Sequence, residues 1–338
     1  MAVAAFDLIP EPRREAAAEA LSAAGVGQVE GVRPIVGGAS GALICRVDAG
    51  GRRWLLRLDV IGGIANLPRA YGCMRAAADA GVAPALRYAD PDRGVTVMDF
   101  VESRPIDAFP GGPVALIAAL AGLIARVHAI APPFPSALAD YPFMVEHLMG
   151  RLRGSDLFRP GLLEPHAEGL ARIRAAYRFE GPGVSCHNDP NRMNVLWDGE
   201  RLWLVDWELA FRNDPLVDVG ILAENFAPTA EGSQALLAAW HGREPDGALR
   251  ARFALARQLS RGFYAGVLLS GFARSPPPEP DDLSALSVAE FTQALAEGRL
   301  KVGSPEVLYA LGKMQLASFL AGMSSSEVMA ALAIGATD

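Results

Sequence analysis

Apolar and polar positions change rhythm along this chain, and the changes mark its elements. Residues 11–24, EPRREAAAEALSAA, are strong helix formers that stop at Gly25, which predicts a short helix with a glycine beyond its end. From Arg33 the stretch PIVGGASGALICRVDAGGRRWLLRLDV carries alternating and β-branched residues with Gly50-Gly51 between two runs, and it predicts successive antiparallel strands. Residues 66–80 return to helix, started by Asn66 and Pro68 and stopped by Gly81, and residues 94–101 read as a strand again.

Beyond Gly112 helical spacing takes over. Residues 116–130 are apolar at helical intervals and end before Pro132-Pro133. Residues 161–179 predict another helix, with Arg172, Arg174 and His166 expected on a solvated face. After Gly220, helices are expected over 221–225, 233–241, 249–270, 287–297 and 305–323, interrupted by a loop at Ser275-Pro276-Pro277-Pro278. The pattern as a whole predicts an α+β protein whose sheet is N-terminal and antiparallel and whose C-terminal part is larger and mostly helical.

Composition narrows this only slightly. With 338 residues, 51% hydrophobic and 20% charged, the chain suits two lobes with a sizeable interior. A formal net charge of −7 argues against a nucleic-acid-binding surface. Its three cysteines, Cys45, Cys73 and Cys186, form no C-x-x-C pair, which fits small buried residues in a reducing compartment. The first residues lack a basic region followed by an apolar core, and apolar runs such as 114–127 are interrupted by Arg126, so a cytoplasmic protein with no membrane span is expected.

The chemistry is concentrated in residues 185–206, SCHNDPNRMNVLWDGERLWLVD. Trp197-Asp198-Gly199-Glu200-Arg201 reads as a hairpin turn, with Asp198-Gly199 as the tight pair. Such a hairpin sets Asn194, just before one strand, beside Asp206, at the end of its partner. A carboxylate and an amide oxygen side by side suit Mg²⁺, with nucleotide phosphates and waters completing the octahedron. Asp189, on the loop before the first strand, would then orient an acceptor hydroxyl or take its proton. The plainer alternative is a hairpin with solvated turn carboxylates.

His187-x-Asp189-x-x-x-x-Asn194 followed by Asp206 resembles the catalytic-loop and metal-aspartate pattern of the protein-kinase-like fold. In detail it looks like the branch holding aminoglycoside phosphotransferases and choline/ethanolamine kinases, with His187-Asn188-Asp189 as an H-N-D loop and Asp206-Trp207-Glu208 in place of D-F-G. Asn213-Asp214-Pro215-Leu216-Val217-Asp218 is similar to the D-P-x-x-D segment of that branch, which implies that Asp218 braces the catalytic loop. His187 is expected to be a buried scaffold residue. For Glu208, a second metal contact, a substrate contact and a solvated side chain stay open.

The resemblance implies a two-lobed kinase-like fold, with an N-terminal nucleotide-binding lobe over 1–101 and a C-terminal catalytic and substrate-binding lobe over 102–338. The small residues Gly38, Ser40 and Gly41 would let backbone N–H groups approach phosphate oxygens, although this loop does not match G-x-G-x-x-G and is otherwise a plain turn. Arg57 occupies the place where kinases carry a phosphate-contacting lysine, or else is a strand-edge arginine facing solvent. The helix glutamate that pairs with that lysine has no counterpart: its place falls at Ala70 or Tyr71, and no glutamate lies between Gly31 and Val101. Asp59 holding Arg57, an arginine that needs no brace, and weak nucleotide affinity are the three explanations. Backbone groups of Asp99 and Val101 would meet the adenine edge.

Together these residues imply an ATP- and Mg²⁺-dependent kinase acting on a small-molecule hydroxyl. The H-N-D and D-W-E variants tilt the acceptor toward choline or ethanolamine, with an aminoglycoside or sugar as rival. Glu208, Glu224, Trp240 and Tyr264 are candidates for the acceptor pocket, where an acid with aromatic rings could cage a quaternary ammonium group. Filling a helical core is the alternative for Glu224, Trp240 and Tyr264. A nucleotide-binding regulator without catalysis is the reading from another class, and the retained Asp189, Asn194 and Asp206 oppose it.

Overall fold

The structure, a computed structural model, describes residues 6–35, 41–62, 66–136 and 140–335. Gly38 and Ser40 lie outside the described residues. Along the chain run α1 (Glu11–Ala23), β1 (Val29–Pro34), β2 (Leu43–Ala49), β3 (Arg52–Leu58), α2 (Leu67–Asp79), β4 (Leu86–Asp90), β5 (Val95–Asp99) and α3 (Gly112–His128). Then come α4 (Tyr141–Arg153), α5 (Glu164–Ala176), β6 (Val184–Cys186), β7 (Val195–Trp197), β8 (Leu202–Leu204), β9 (Phe211–Asn213) and α6 (Pro215–Phe226). The chain closes with α7 (Ala230–His241), α8 (Gly247–Arg274), α9 (Val288–Ala296), α10 (Pro305–Met323) and α11 (Ser326–Gly335). The fold is α+β, with an N-terminal antiparallel sheet and helices that dominate the rest.

Two compact units emerge, one of Met1–Ser136, Gly183–Asp218 and Asn225–Trp240, the other of Ala137–Pro182, Val219–Glu224 and His241–Asp338. Position 101 falls inside the first unit.

In the first unit the sheet order is β1-β2-β3-β5-β4, with every neighbouring pair antiparallel. Gly50 and Gly51 both take positive φ, 57° and 70°, which is the twist a two-residue hairpin needs and which side chains resist. Cys45, Val47, Trp54, Leu56, Leu58, Val95 and Val97 form one buried cluster with Ala17, Ala20 and Leu21 of α1. Because β3 alternates faces, that burial of Trp54, Leu56 and Leu58 turns Arg57 the other way. Asn66 caps α2 by accepting the Arg69 N–H at 3.1 Å, and Pro68 sits in its first turn, as its sequence signals indicate.

The second unit is helical around α8, which packs on α4, α10 and α11. The approach is close because small residues line the contacts. A Cβ on Gly266 would lie 2.6 Å from Leu148 Cβ, and one on Gly312 would lie 2.5 Å from Leu269. One expectation is corrected here: His166 does not face solvent but is 1% exposed, its Nε2 3.1 Å from the Leu316 carbonyl and its ring stacked on Phe319. The apolar spacing of α5 carries His166 round to the face covered by α10. Among the described residues no single helix is long and apolar enough to cross a membrane.

Candidate active site

Short pairings bring the polar residues together. β7 pairs with β8 in the register Val195↔Leu204, and the Val205 N–H donates to the Asn194 carbonyl at 3.0 Å. Asn194 and Asp206 thus flank the open end of the hairpin. At its closed end Asp198 accepts the N–H groups of Glu200 and Arg201, each at 2.8 Å, and the Trp203 indole at 2.7 Å. β6 pairs with β9 through Cys186↔Phe211, which delivers His187-Asn188-Asp189 next to the Asp206-Trp207-Glu208 segment.

Asp189 is held by two amides. Asn191 Nδ2 donates to its Oδ1 at 2.8 Å, and Asn194 Nδ2 donates to its Oδ2 at 2.9 Å. Sequence reading did not single out Asn191, whose signal is its place two residues after Asp189, where an Asn side chain folds back on its own turn. Its Oδ1 in turn accepts the Met193 N–H at 2.8 Å.

Beneath the loop, buried Asp218 accepts the N–H groups of His187 at 2.9 Å and Asn188 at 2.6 Å. His128 Nε2 lies 3.1 Å from the same carboxylate, and the Trp240 indole N–H donates to His128 Nδ1 at 3.0 Å, which places the ring proton on Nε2. His187 accepts the Asp189 N–H at Nδ1, 3.3 Å, and donates from Nε2 to the Val205 carbonyl, 3.0 Å. Burial holds it below its ordinary value, against the pull of Asp218. Trp207 is wedged edge-on between His187 and Phe134.

Asn188 and Asp206 both take left-handed φ, 62° and 66°. Among the described residues only one other non-glycine, Leu283, does so. Such backbone strain of about 1–3 kcal/mol each persists where surroundings over-determine it. For Asn188 the surroundings are explicit: its amide donates to the Leu209 and Phe211 carbonyls at 2.9 and 3.2 Å and accepts from Asn213 at 2.8 Å.

Arg57 is buried, not a solvent-facing strand-edge residue. Its Nε donates to Asp59 Oδ1 at 2.8 Å, its Nη1 to Asp206 Oδ1 at 3.2 Å, and its Nη2 contacts Glu208. Burial disfavours its charge, but Asp206 and Asp59 outweigh burial and raise its pKa above the ordinary value. Of the three explanations for the missing helix glutamate, the geometry supports the Asp59 brace. Glu208 is also fixed through its backbone carbonyl, which accepts from Arg69 on α2 at 3.1 Å.

The other candidates are placed as follows. Asp99 ends β5, its N–H donating to the Ala85 carbonyl at 3.0 Å and its carboxylate bound by Arg87 at 2.9 and 2.6 Å. Val101 follows on an irregular stretch, and Gly41 precedes β2 with φ 73°. In the second unit Glu224 is engaged by Arg257 Nε at 2.7 Å and Arg261 Nε at 2.8 Å, and Tyr264 packs beside Phe263. Cys45, Cys73 and Cys186 are free and buried.

A loop aspartate clamped by two amides, a second aspartate at the mouth of a hairpin and a buried arginine reaching it from a sheet define a protein of the kinase-like phosphoryl-transfer class. The Phosphotransferase enzyme family matches residues 31–255, and the chain belongs to that family. Among solved structures, a choline/ethanolamine kinase family protein from Mesorhizobium loti superposes with a TM-score of 0.69 at 23% identity, over 96% of this chain and 99% of that one. A choline kinase from Streptococcus pneumoniae gives 0.63 at 14% identity, over 91% and 100%. A provisionally assigned aminoglycoside phosphotransferase from Ralstonia eutropha gives 0.57 at 18%, over 90% and 98%. At these identities the likeness is one of fold. An uncharacterised protein of Metamycoplasma hominis is 23% identical over 151 residues, 44% of this chain and 28% of that longer one.

Proposed function

We propose that this protein transfers the γ-phosphoryl group of ATP to a hydroxyl of a small molecule, with a choline- or ethanolamine-like acceptor favoured. The observation that carries the reading is that Asp189, Asn194, Asp206 and Arg57 form one connected set, through the Asn194–Asp189 bond at 2.9 Å, the Val205–Asn194 bond at 3.0 Å and the Arg57–Asp206 pair at 3.2 Å.

Phosphoryl transfer asks a protein chiefly to position groups and stabilise charge. Asp189 receives the acceptor hydroxyl as a hydrogen-bond donor and aims its oxygen, while Asn191 and Asn194 fix the carboxylate's orientation. Arg57 meets the phosphate chain, and Gly41 belongs to the loop that covers it. With the Asp99 N–H already used by Ala85, adenine recognition falls to the Asp99 carbonyl and the Val101 N–H.

The oxygen donors suit Mg²⁺. The Asn194 amide nitrogen is committed to Asp189, which leaves Oδ1 for a cation, and Asp206 and Glu208 add carboxylates. When bound there, the ion supplies neutralisation of phosphate charge.

The acceptor preference rests on Asp206-Trp207-Glu208 and on the likeness to the Mesorhizobium and Streptococcus proteins. An aminoglycoside or sugar hydroxyl is the rival, favoured by the likeness to the Ralstonia protein. ADP release from Mg-ATP, measured against choline, ethanolamine, thiamine, simple sugars and aminoglycosides with Asp189→Asn as blank, tests the reading. Turnover with one acceptor that disappears in the variant is expected. Mg-ATP binding with equal turnover in both proteins would replace the enzyme by a nucleotide-binding regulator.

A further inference from the structure

Arg57 has no glutamate on α2 to face it, and what it has instead is an acid from its own strand. Residues two apart on an extended chain share a face, so Asp59, just past the end of β3, points the same way as Arg57. Asp59 is held at four places. Its N–H donates to the Gly94 carbonyl at 2.8 Å, and its carbonyl accepts from Arg13 Nη1 of α1 at 2.7 Å. Its Oδ1 accepts from Arg57 Nε at 2.8 Å, and its Oδ2 accepts from the Tyr71 hydroxyl of α2 at 2.6 Å. Tyr71 stands at one of the two places, Ala70 or Tyr71, that correspond to the helix acid.

We infer that Tyr71 and Asp59 form a positioning pair for Arg57: the helix grips the arginine through a phenol hydroxyl and a strand carboxylate, in place of a helix carboxylate. The inference rests on the nucleotide-binding reading of the site. Its physical content lies in how the guanidinium is shared. The Nη groups of Arg57 face Asp206 and Glu208, carboxylates that a cation also needs. An arginine anchored only by those two would settle onto them and compete with the cation. Fixing Nε on Asp59 holds the guanidinium plane from behind, so that its outer N–H groups can pass from Asp206 and Glu208 to phosphate oxygens without the arginine losing its anchor. All three side chains are buried, where an unpaired charge or hydroxyl is costly, so the arrangement is stiff.

The test is titration of wild type, Tyr71→Phe and Asp59→Asn with Mg-ATP and, separately, with adenosine, which has no phosphate for Arg57 to meet. Misplacing a phosphate-contacting group should weaken Mg-ATP by about 10-fold in Asp59→Asn and about 3-fold in Tyr71→Phe, with adenosine changed less than about 2-fold. Coulomb's law alone predicts the opposite for Asp59→Asn, since removing a carboxylate beside the arginine should tighten an anion. Unchanged or tighter Mg-ATP overturns the inference, as does an equal loss for both ligands, or a loss confined to one of two folded variants. Tyr71→Phe keeps ring and charge, and carries the test if Asp59→Asn does not fold. Wild type that binds neither ligand removes the nucleotide reading itself, whereas wild type that binds both while the variants match it removes only the pair.

Discussion

Asp218 accepts the backbone N–H of Asn188 at 2.6 Å, and that bond fastens the start of α6 to a residue held in the left-handed region. The same carboxylate takes the His187 N–H and faces His128, so one buried acid satisfies three donors. Asp218→Asn keeps the shape but turns an amide N–H₂ toward groups that already donate. It should lower stability by about 2–4 kcal/mol and reduce turnover, because the loop carrying Asp189 loses its anchor. Denaturant unfolding alongside ADP release checks this, and a variant with wild-type stability would show that Asp218 is dispensable as a brace.

Asn191 is the side chain that holds Asp189 Oδ1, and among the described residues its hydrogen bonds run to Asp189, Met193 and Asn194 rather than to Arg57 or Asp206. Asn191→Ala should therefore lower kcat by about 10-fold, a typical share of general-base positioning, with little change in KM for ATP. A rise in KM for ATP with kcat intact would place Asn191 on the nucleotide side instead.

Burial holds both His187 and His166 below the ordinary histidine value of 6.5, so each is neutral in the fold at pH values where an unfolded histidine gains a proton. The unfolded chain then binds more protons below about 6.5, and stability falls as pH drops through that point while it is fully present above it. Thermal midpoints should be level from pH 8 to 7 and decline from 6.5 toward 5.5. A midpoint unchanged over the whole range would mean that neither ring is held neutral by the fold.

Glu224 is bound by Arg257 Nε and by Arg261 Nε and Nη2, at 2.7, 2.8 and 3.0 Å. Glu224→Gln leaves two guanidinium groups in a largely buried place with a weaker acceptor, and should cost about 2–4 kcal/mol of stability without altering Mg-ATP affinity. If instead the variant is as stable as wild type and its acceptor KM rises, Glu224 belongs to the acceptor pocket.

The order of elements and the local layout of residues 187–206 are legible in the sequence because both are local. Strand alternation, the Gly50-Gly51 turn, the Asn66 cap and the H-N-D to D-W-E spacing depend on residues near one another, and chain geometry alone sets Asn194 beside Asp206. What holds Arg57 is of another kind. Arg57 and Asp59 are close in sequence, but Tyr71, Asp206 and Glu208 reach them only through the packing of α2 on the sheet and of the hairpin against it. The same holds for Trp240 and His128, and for His166 under Phe319, polar groups whose partners lie over a hundred residues away. A helical or strand period says which face a side chain takes, not what covers that face. For buried polar groups that second fact decides charge state, strain and use, and it belongs to the tertiary structure alone.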